Sequence, residues 1–354
     1  MIEGPQPREV VQAMAPYHPP TGGRSGKLRL DFNENTVGCS PKVIEAIHKY
    51  LTADHLTVYP EYIEAMADLA RFFGVEPTEF AMSNGTDEAI QVLVNTYIDD
   101  GDDVLIMRPS YAMYRFYAEL AGAFVRELDY RPDDLSFPID AFLDALRPET
   151  KAVMIANPNN PTGTGVKLDE IRLILETAPD AAVLIDEAYF EFCGVTALPW
   201  INEYPNLFVS RTFSKVYGMA AMRCGCIFSN EENVKWLRKA QSPYSVNMLA
   251  AVAARAAVAD EDYVARYVGE VLAARELAYF GLDKLNIPYF MSQANFVLFR
   301  AGDHAIEIRD ALRAKGVLIR DRSYEIPGCV RVTIGTREQV QRFLTELEAL
   351  WKKS

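Results

Sequence analysis

The chain is predicted to be an α/β protein, with a large domain of mostly parallel sheet flanked by helices and a smaller α+β domain. Three observations predict this. From residue 79 to residue 229, short apolar runs alternate with amphipathic stretches, as repeated βαβ units require. Near Val246 the pattern changes to long Ala-rich helices followed by separated strands. The length of 354 residues favours about two domains at ~150 residues each. The divisions we expect are 1–32 for an N-terminal arm with part of the small domain, 33–245 for the large domain and 246–354 for the small C-terminal domain.

Residues 1–27 are rich in Pro and Gly and read as an extended arm. Gly26-Lys27 is not a phosphate loop, because Thr21 stands where the earlier Gly is needed and Leu28 where Ser or Thr is needed. A short strand is expected over 28–32 and a helix over 41–51, with Pro41 in its first turn. Tyr59-Pro60-Glu61 is read as opening a helix that runs to about Phe73. Strands follow at 80–82, 103–107, 123–128, 152–156, 182–185, 207–210 and 225–229. Helices are expected between them at 86–97, 112–121, 139–146 and 168–176. Beyond 246 the helices are 249–258, 262–282 and 338–351, with strands at 295–299 and 330–334.

Composition narrows the function. Hydrophobic residues are 49% and charged residues 24%, ordinary for a soluble globular protein. The net charge of −13, with no basic run longer than Lys352-Lys353, argues against nucleic acid or an anionic membrane as partner. Five irregularly spaced cysteines suggest no disulfide framework and fit a reducing cytoplasm. Cys224 and Cys226 read as small core residues. The four histidines have no metal-ligand spacing. No apolar signal core opens the sequence, and the apolar window 248–259 is too short to span a bilayer.

Four unusual clusters fall at expected strand ends, where open parallel sheets bind ligands. Ser83-Asn84-Gly85-Thr86-Asp87-Glu88 opens a helix; it is either an anion site or a plain helix start with Thr86 as cap. Asn157-Pro158-Asn159-Asn160-Pro161-Thr162-Gly163 offers neutral, directional hydrogen bonds on a rigid turn. Asp186-Glu187-Ala188-Tyr189 puts a carboxylate after an apolar strand, where it must be paired or act as a cap. Arg211-Thr212-Phe213-Ser214-Lys215 follows another apolar strand and leads to Arg223; a partly dried lysine beside a cation becomes a nucleophile toward carbonyls. Together these supply what pyridoxal phosphate needs for its phosphate, phenolic oxygen, ring nitrogen and aldehyde.

The order and spacing of these clusters resemble the fold-type-I pyridoxal-phosphate aminotransferases, with histidinol-phosphate aminotransferases the nearest branch. Leu30-Asp31-Phe32-Asn33-Glu34-Asn35, Tyr59-Pro60-Glu61, Pro109-Ser110-Tyr111, Ala294-Asn295-Phe296 and Arg331-Val332-Thr333-Ile334-Gly335-Thr336 extend the resemblance over nearly the whole chain. It implies that Lys215 bonds the cofactor aldehyde and moves the substrate proton, and that Asp186 pairs with the pyridinium. It implies that Asn160 and Tyr189 bond the phenolic oxygen and that Tyr111 stacks on the ring. Main-chain groups of Gly85, Thr86 and Asp87, with Ser214 and Arg223, would hold the phosphate. Tyr59 would reach the same phosphate from the other subunit of a homodimer. Arg331, helped by Arg320, Tyr17 and Asn160, would bind substrate. Arg320, Arg322 and Arg24 are spare cations that would favour a doubly charged phosphate; the alternative, which we expect for Arg24 and Arg322, is a solvated surface charge.

The resemblance implies transfer of an amino group between histidinol phosphate and 2-oxoglutarate or glutamate. An aromatic amino-acid aminotransferase is the alternative, and a decarboxylase of an amino-acid phosphate the third. A nicotinamide dehydrogenase would need Gly-x-Gly-x-x-Gly after an early strand, and the chain has none. Three stretches depart from the family: Thr36 follows Asn35 where Pro is usual, the arm carries Pro19-Pro20-Thr21-Gly22-Gly23-Arg24 in place of a simple Pro-Gly turn, and the loop between Arg320 and Arg331 is individual.

Overall fold

The computed structural model describes residues 4–16 and 22–352. In chain order the strands are β1 (Leu28–Arg29), β2 (Phe80–Ser83), β3 (Asp103–Arg108), β4 (Phe124–Asp129), β5 (Thr150–Ala156), β6 (Ala182–Asp186), β7 (Leu207–Thr212) and β8 (Gly225–Phe228). The C-terminal part adds β9 (Tyr289–Phe290), β10 (Phe296–Arg300), β11 (Val317–Leu318), β12 (Arg320–Asp321) and β13 (Cys329–Thr333).

A seven-stranded sheet in the order β2-β8-β7-β6-β5-β3-β4 carries the large domain. Neighbours from β7 through β4 are parallel, whereas β8 is antiparallel to both β7 and β2. The alternating pattern foretells the sheet but not this reversal, because it does not encode strand direction. The reversal matters for function. β2 runs with the parallel set, so six strands end at one edge and β8 begins there. Both faces are buried, which is why the strands read as unbroken apolar runs. Val153, Ile155, Val183, Ile185, Leu207 and Val209 enter one core. Met154, Leu184 and Phe208, one position along, enter the other.

The first core continues into the C-terminal part, where β12-β13-β10-β9 form an antiparallel sheet. The expected strand over 28–32 is shorter. Only Leu28–Arg29 pairs, in parallel with Val317–Leu318. Beyond it the Asp31 carbonyl accepts from Arg331 and the Asn33 side chain donates to Tyr189, two residues that line the cavity described below.

Several helices differ from expectation. Glu9–Ala13 forms one turn in the arm that was read as extended, and Arg8 donates to the Leu120 carbonyl. The helix after Tyr59-Pro60 begins only at Ile63, with Tyr62 as its N-cap. Glu231–Ala240 and Ala305–Ala314 were unforeseen. Their buried stripes are narrow, Val234 and Leu237 in one and Ala305, Ile308 and Leu312 in the other. Asn230 caps the first of these through the Asn233 N–H. Cys224 and Cys226 are buried core residues, as read. Among the described residues, no helix is long and apolar enough to cross a membrane.

Arg211 and Glu187 form a buried ion pair at the sheet's edge, Nη2 to Oε2 2.7 Å. Glu187 also accepts from Thr196 Oγ1 and the Ala197 N–H, so its lone pairs are filled. Arg211→Met should leave that carboxylate stranded and destabilise the fold by about 3–5 kcal/mol, read by urea unfolding. A loss under about 1 kcal/mol would mean that the pair behaves as a surface bridge does.

Candidate active site

The strand ends enclose a cavity of about 730 Å³. Thr86, Asp87, Tyr111, Asn160, Asp186, Tyr189, Ser214, Lys215, Arg223, Arg320 and Arg331 line it together. Gly85 abuts it through Arg223. Tyr59 lies elsewhere, 75% exposed and ring to ring with Tyr244 at 4.7 Å. Tyr17 falls outside the described residues.

One end is built for an anion. The helix Gly85–Tyr97 starts at the cavity, and its N-cap Asn84 makes no side-chain cap bond. Thr86 is therefore inside the first turn and not the cap. First-turn N–H groups face the cavity edge with the helix dipole behind them. Gly85 has φ 76°, and a Cβ there would sit 2.5 Å from Arg223 Nη2. A Cβ on Gly225 would meet the Thr86 nitrogen at 2.9 Å. The two glycines thus let β8 and the helix start close up around Arg223. The Arg223 guanidinium is steadied by Asp87 Oδ2 at 3.0 Å and the Ala220 carbonyl at 3.2 Å. Asp87 also accepts from Tyr111 Oη at 2.6 Å. Burial, followed by the Asp87 charge, pushes the Tyr111 phenol up, so it stays a donor.

Asp186 sits at the end of β6 and is buried. Tyr114 Oη and Ser210 Oγ each donate to it at 2.8 Å. Among the described residues no cation is bonded to it. Burial, which no cation offsets, pushes its pKa up despite those hydroxyls. Lys215 Nζ donates to the Phe32 carbonyl at 3.2 Å and lies 5.7 Å from the Tyr189 ring centre. The buried Tyr189 accepts from Asn33 Nδ2 at 3.0 Å, and Asn33, at φ 56°, is held by Thr333 Oγ1. Asn157 and Asn159 are buried and brace their own turn, leaving Asn160 at the cavity.

The other end is cationic. Arg331 is buried and donates through Nη2 to the Asp31 carbonyl at 2.7 Å and through Nη1 to Asn160 Oδ1; its Nε has no acceptor. Its bonded acceptors are thus neutral. Burial, with Arg322 and Arg320 facing it, works against its charge. Arg320 stands 5.5 Å over the Phe32 ring. Arg24 and Arg322 are not the solvated charges expected. Arg24 bridges Asp31 at 2.9 Å and Glu34 at 2.6 Å. Arg322 is buried, lines the cavity and pairs with Glu325.

A family model described as aminotransferase class I and II matches residues 25–347. The chain belongs to the class I and II aminotransferases. The histidinol-phosphate aminotransferase of Symbiobacterium thermophilum is 36% identical over 356 residues, covering 97% of this chain and 98% of that one. That of Geobacillus sp. strain WCH70 is 32% identical, covering 97% of each. Among solved structures, the Sinorhizobium meliloti histidinol-phosphate aminotransferase in complex with pyridoxal-5′-phosphate superposes with TM-score 0.90 at 23% identity, over 99% of both chains. Thermus thermophilus aspartate aminotransferase with maleate gives 0.83 at 21% identity, over 98% of this chain and all of the other. These two share the fold: a mostly parallel sheet flanked by helices with a smaller part attached.

The cavity fits the cofactor of this family, pyridoxal phosphate. The helix start and Arg223 suit its phosphate, and the cation-poor Asp186 suits a protonated ring nitrogen. Asn160 and Tyr189 suit the phenolic oxygen, and Lys215 reaches the same space. Sequence reasoning missed Tyr114, Ser210, Asn33 and Glu325. Asn33 stood in a quoted motif and Glu325 in the loop singled out between Arg320 and Arg331, but Tyr114 and Ser210 had no local signal. In this aminotransferase, Gly85→Ala should displace Arg223 and weaken cofactor retention by about tenfold or more. Equilibrium dialysis, read by visible absorbance, checks this. Unchanged retention would show that the cradle is not the phosphate site.

Proposed function

We propose that the enzyme transfers an amino group between histidinol phosphate and 2-oxoglutarate or glutamate, using pyridoxal phosphate held as above. The observation that carries this is the cluster Arg320, Arg322 and Arg331 at the end of the cavity away from the cofactor phosphate. Guanidinium forks suit both phosphate and carboxylate, the two anions that these donors present. The two relatives quoted above, named for histidinol phosphate, support the same choice.

The bound cofactor supplies a conjugated ring that accepts the electron pair left when the substrate loses its Cα proton. Lys215 Nζ, which shares the cavity with Asp186 and Tyr189, would take that proton and later return it. Its bond to the Phe32 carbonyl keeps the amine at the cavity wall in the meantime. Asp186, held in place by Tyr114 and Ser210, would pair with the ring nitrogen and favour its protonated form. Arg331 binds the substrate anion on the Asn160 side and so orients Cα toward Lys215. Free cysteines fit a cytoplasmic enzyme.

The working unit in this proposal is a two-fold homodimer. Tyr59 shares its surface with the exposed apolar residues Leu56, Val58, Ile63 and Tyr244, a patch suited to a second copy. Tyr59 would then complete the neighbour's phosphate site. Mixing inactive Tyr59→Ala with inactive Lys215→Ala subunits should restore activity, because one hybrid site holds both residues. No recovery despite proven exchange would remove Tyr59 from the partner's site.

The substrate assignment is tested by kcat/KM. Histidinol phosphate should exceed phenylalanine by at least about tenfold. Arg331→Lys should weaken both half-reactions by roughly tenfold to a hundredfold, because the fork is lost. If phenylalanine is the better donor, the aromatic reading replaces this one, and family and cofactor stand.

A further inference from the structure

We propose that Glu88 is a positioning residue for the cofactor phosphate, through which the surface segment 241–247 sets how firmly the cofactor is held. This rests on the reading of the cavity's anion end as the phosphate cradle and names what keeps that cradle in shape. Glu88 lies outside the cavity lining and acts through the start of the helix Gly85–Tyr97.

The bonding of one carboxylate oxygen carries the inference. In a capping box, the side chain at the third helical position bonds the N–H of the cap residue. Here that position is Asp87, whose two oxygens are taken by Tyr111 and Arg223. Glu88, one position on, takes over: its Oε2 accepts from the Asn84 N–H at 2.6 Å. The same oxygen accepts from Ser245 Oγ at 2.9 Å and from Gln241 Nε2 at 3.3 Å. A plain cap would need only the Asn84 bond. The other two add nothing to the helix and tie its start to a segment more than 150 residues away in the chain. Bonds to a carboxylate are the stronger kind, so this junction fixes the turn from β2 into the helix.

The segment grips both arms of the cradle. Gln241 Nε2 also donates to the Met82 carbonyl at 2.7 Å, on the far side of the Ser83-Asn84 turn. Asn247 Nδ2 donates to the Met222 carbonyl at 3.2 Å, next to Arg223. A shift of the segment therefore moves the helix start and Arg223 together, and these are the two groups that suit the phosphate. The outer side of the segment carries the exposed Tyr244 against the Tyr59 ring, and the Val246 carbonyl accepts from Tyr62 Oη. The apolar surface around Tyr59 thus connects to the cradle through Ser245, Gln241 and Glu88, none of which lines the cavity. Covering that surface would steady the segment, and Glu88 would carry the effect inward.

The test removes the Ser245 hydroxyl and asks whether cofactor retention responds only while Glu88 is present. The holoenzyme is dialysed to equilibrium against pyridoxal phosphate and read by visible absorbance. Glu88→Ala should weaken retention by about tenfold and Ser245→Ala by about threefold. Excess cofactor should restore the wild-type rate of Ser245→Ala, a split between retention and rate that general loosening of the fold would not give. Added to Glu88→Ala, Ser245→Ala should cost nothing more. Unchanged retention in Ser245→Ala, an equal loss with and without Glu88, or a rate that excess cofactor does not restore overturns the proposal. Ser245→Ala alone decides the matter if Glu88→Ala folds poorly. Gly85→Ala keeps the two readings apart. If it weakens retention and Ser245→Ala does not, the cradle stands and the role of Glu88 falls; if neither does, both fall.

Discussion

A charge removed from water must find a partner, and the way each buried charge at the mouth of the sheet meets that demand separates scaffold from site. Arg211 and Glu187 are satisfied internally: the guanidinium bonds the carboxylate and Thr196, and Thr196 and Ala197 fill the remaining lone pairs. That pair needs nothing from outside. Asp186 has two hydroxyls and no bonded cation, and Arg331 has neutral acceptors and an idle Nε. Each is desolvated yet short of its counter-charge. On the proposed reading the cofactor would supply a cation to the first and the substrate an anion to the second, so binding energy would be collected where the protein alone is incomplete.

Topology brings those incomplete groups together. Because β8 reverses, Arg223 arrives at the mouth from the start of a strand and meets the helix that leaves β2. The approach is close enough that neither Gly85 nor Gly225 has room for a side chain. From the other side, the chain after β1 delivers Asp31, Phe32 and Asn33 to Arg331, Lys215 and Tyr189. The short β1 follows from this task. Extending it through residue 33 would align those groups with a neighbouring strand and away from the cavity.

The cofactor end was legible in the sequence because its motifs are strand-end segments. Each packs a turn, a helix start or a lone charge directly after an apolar run, and the order of segments survives without knowledge of the fold. Their supports were not legible. Tyr114 lies in a helix that reads as ordinary amphipathic sequence, and Ser210 reads as one more strand residue. Both acquire a role only when β6 and β7 pair and the helix Ala112–Ala121 brings the Tyr114 hydroxyl to Asp186. The helix Glu231–Ala240 was missed for a related reason: with Val234 and Leu237 its only buried side chains, its charges outweigh its apolar stripe.

The substrate end was misjudged at Arg24 and Arg322, and the physical cause is the same in both. A cation in a loop reads as solvated until its partner is known. Arg24 is bound to Asp31 and Glu34, and although burial works against the charge of Glu34, Arg24 holds that carboxylate below its usual range. This network locks the arm to the segment that carries Phe32, whose ring lies between Arg24 and Arg320 at 4.5 and 5.5 Å. Arg24 is thus spent on structure, while Arg322, with its fork half filled, stays available. Spacing cannot separate the two, because each has an acidic residue nearby in the chain. Partners separate them: Arg24 gives bonds to two carboxylates through Nε, Nη1 and Nη2, whereas Arg322 pairs with one carboxylate and leaves Nε without an acceptor.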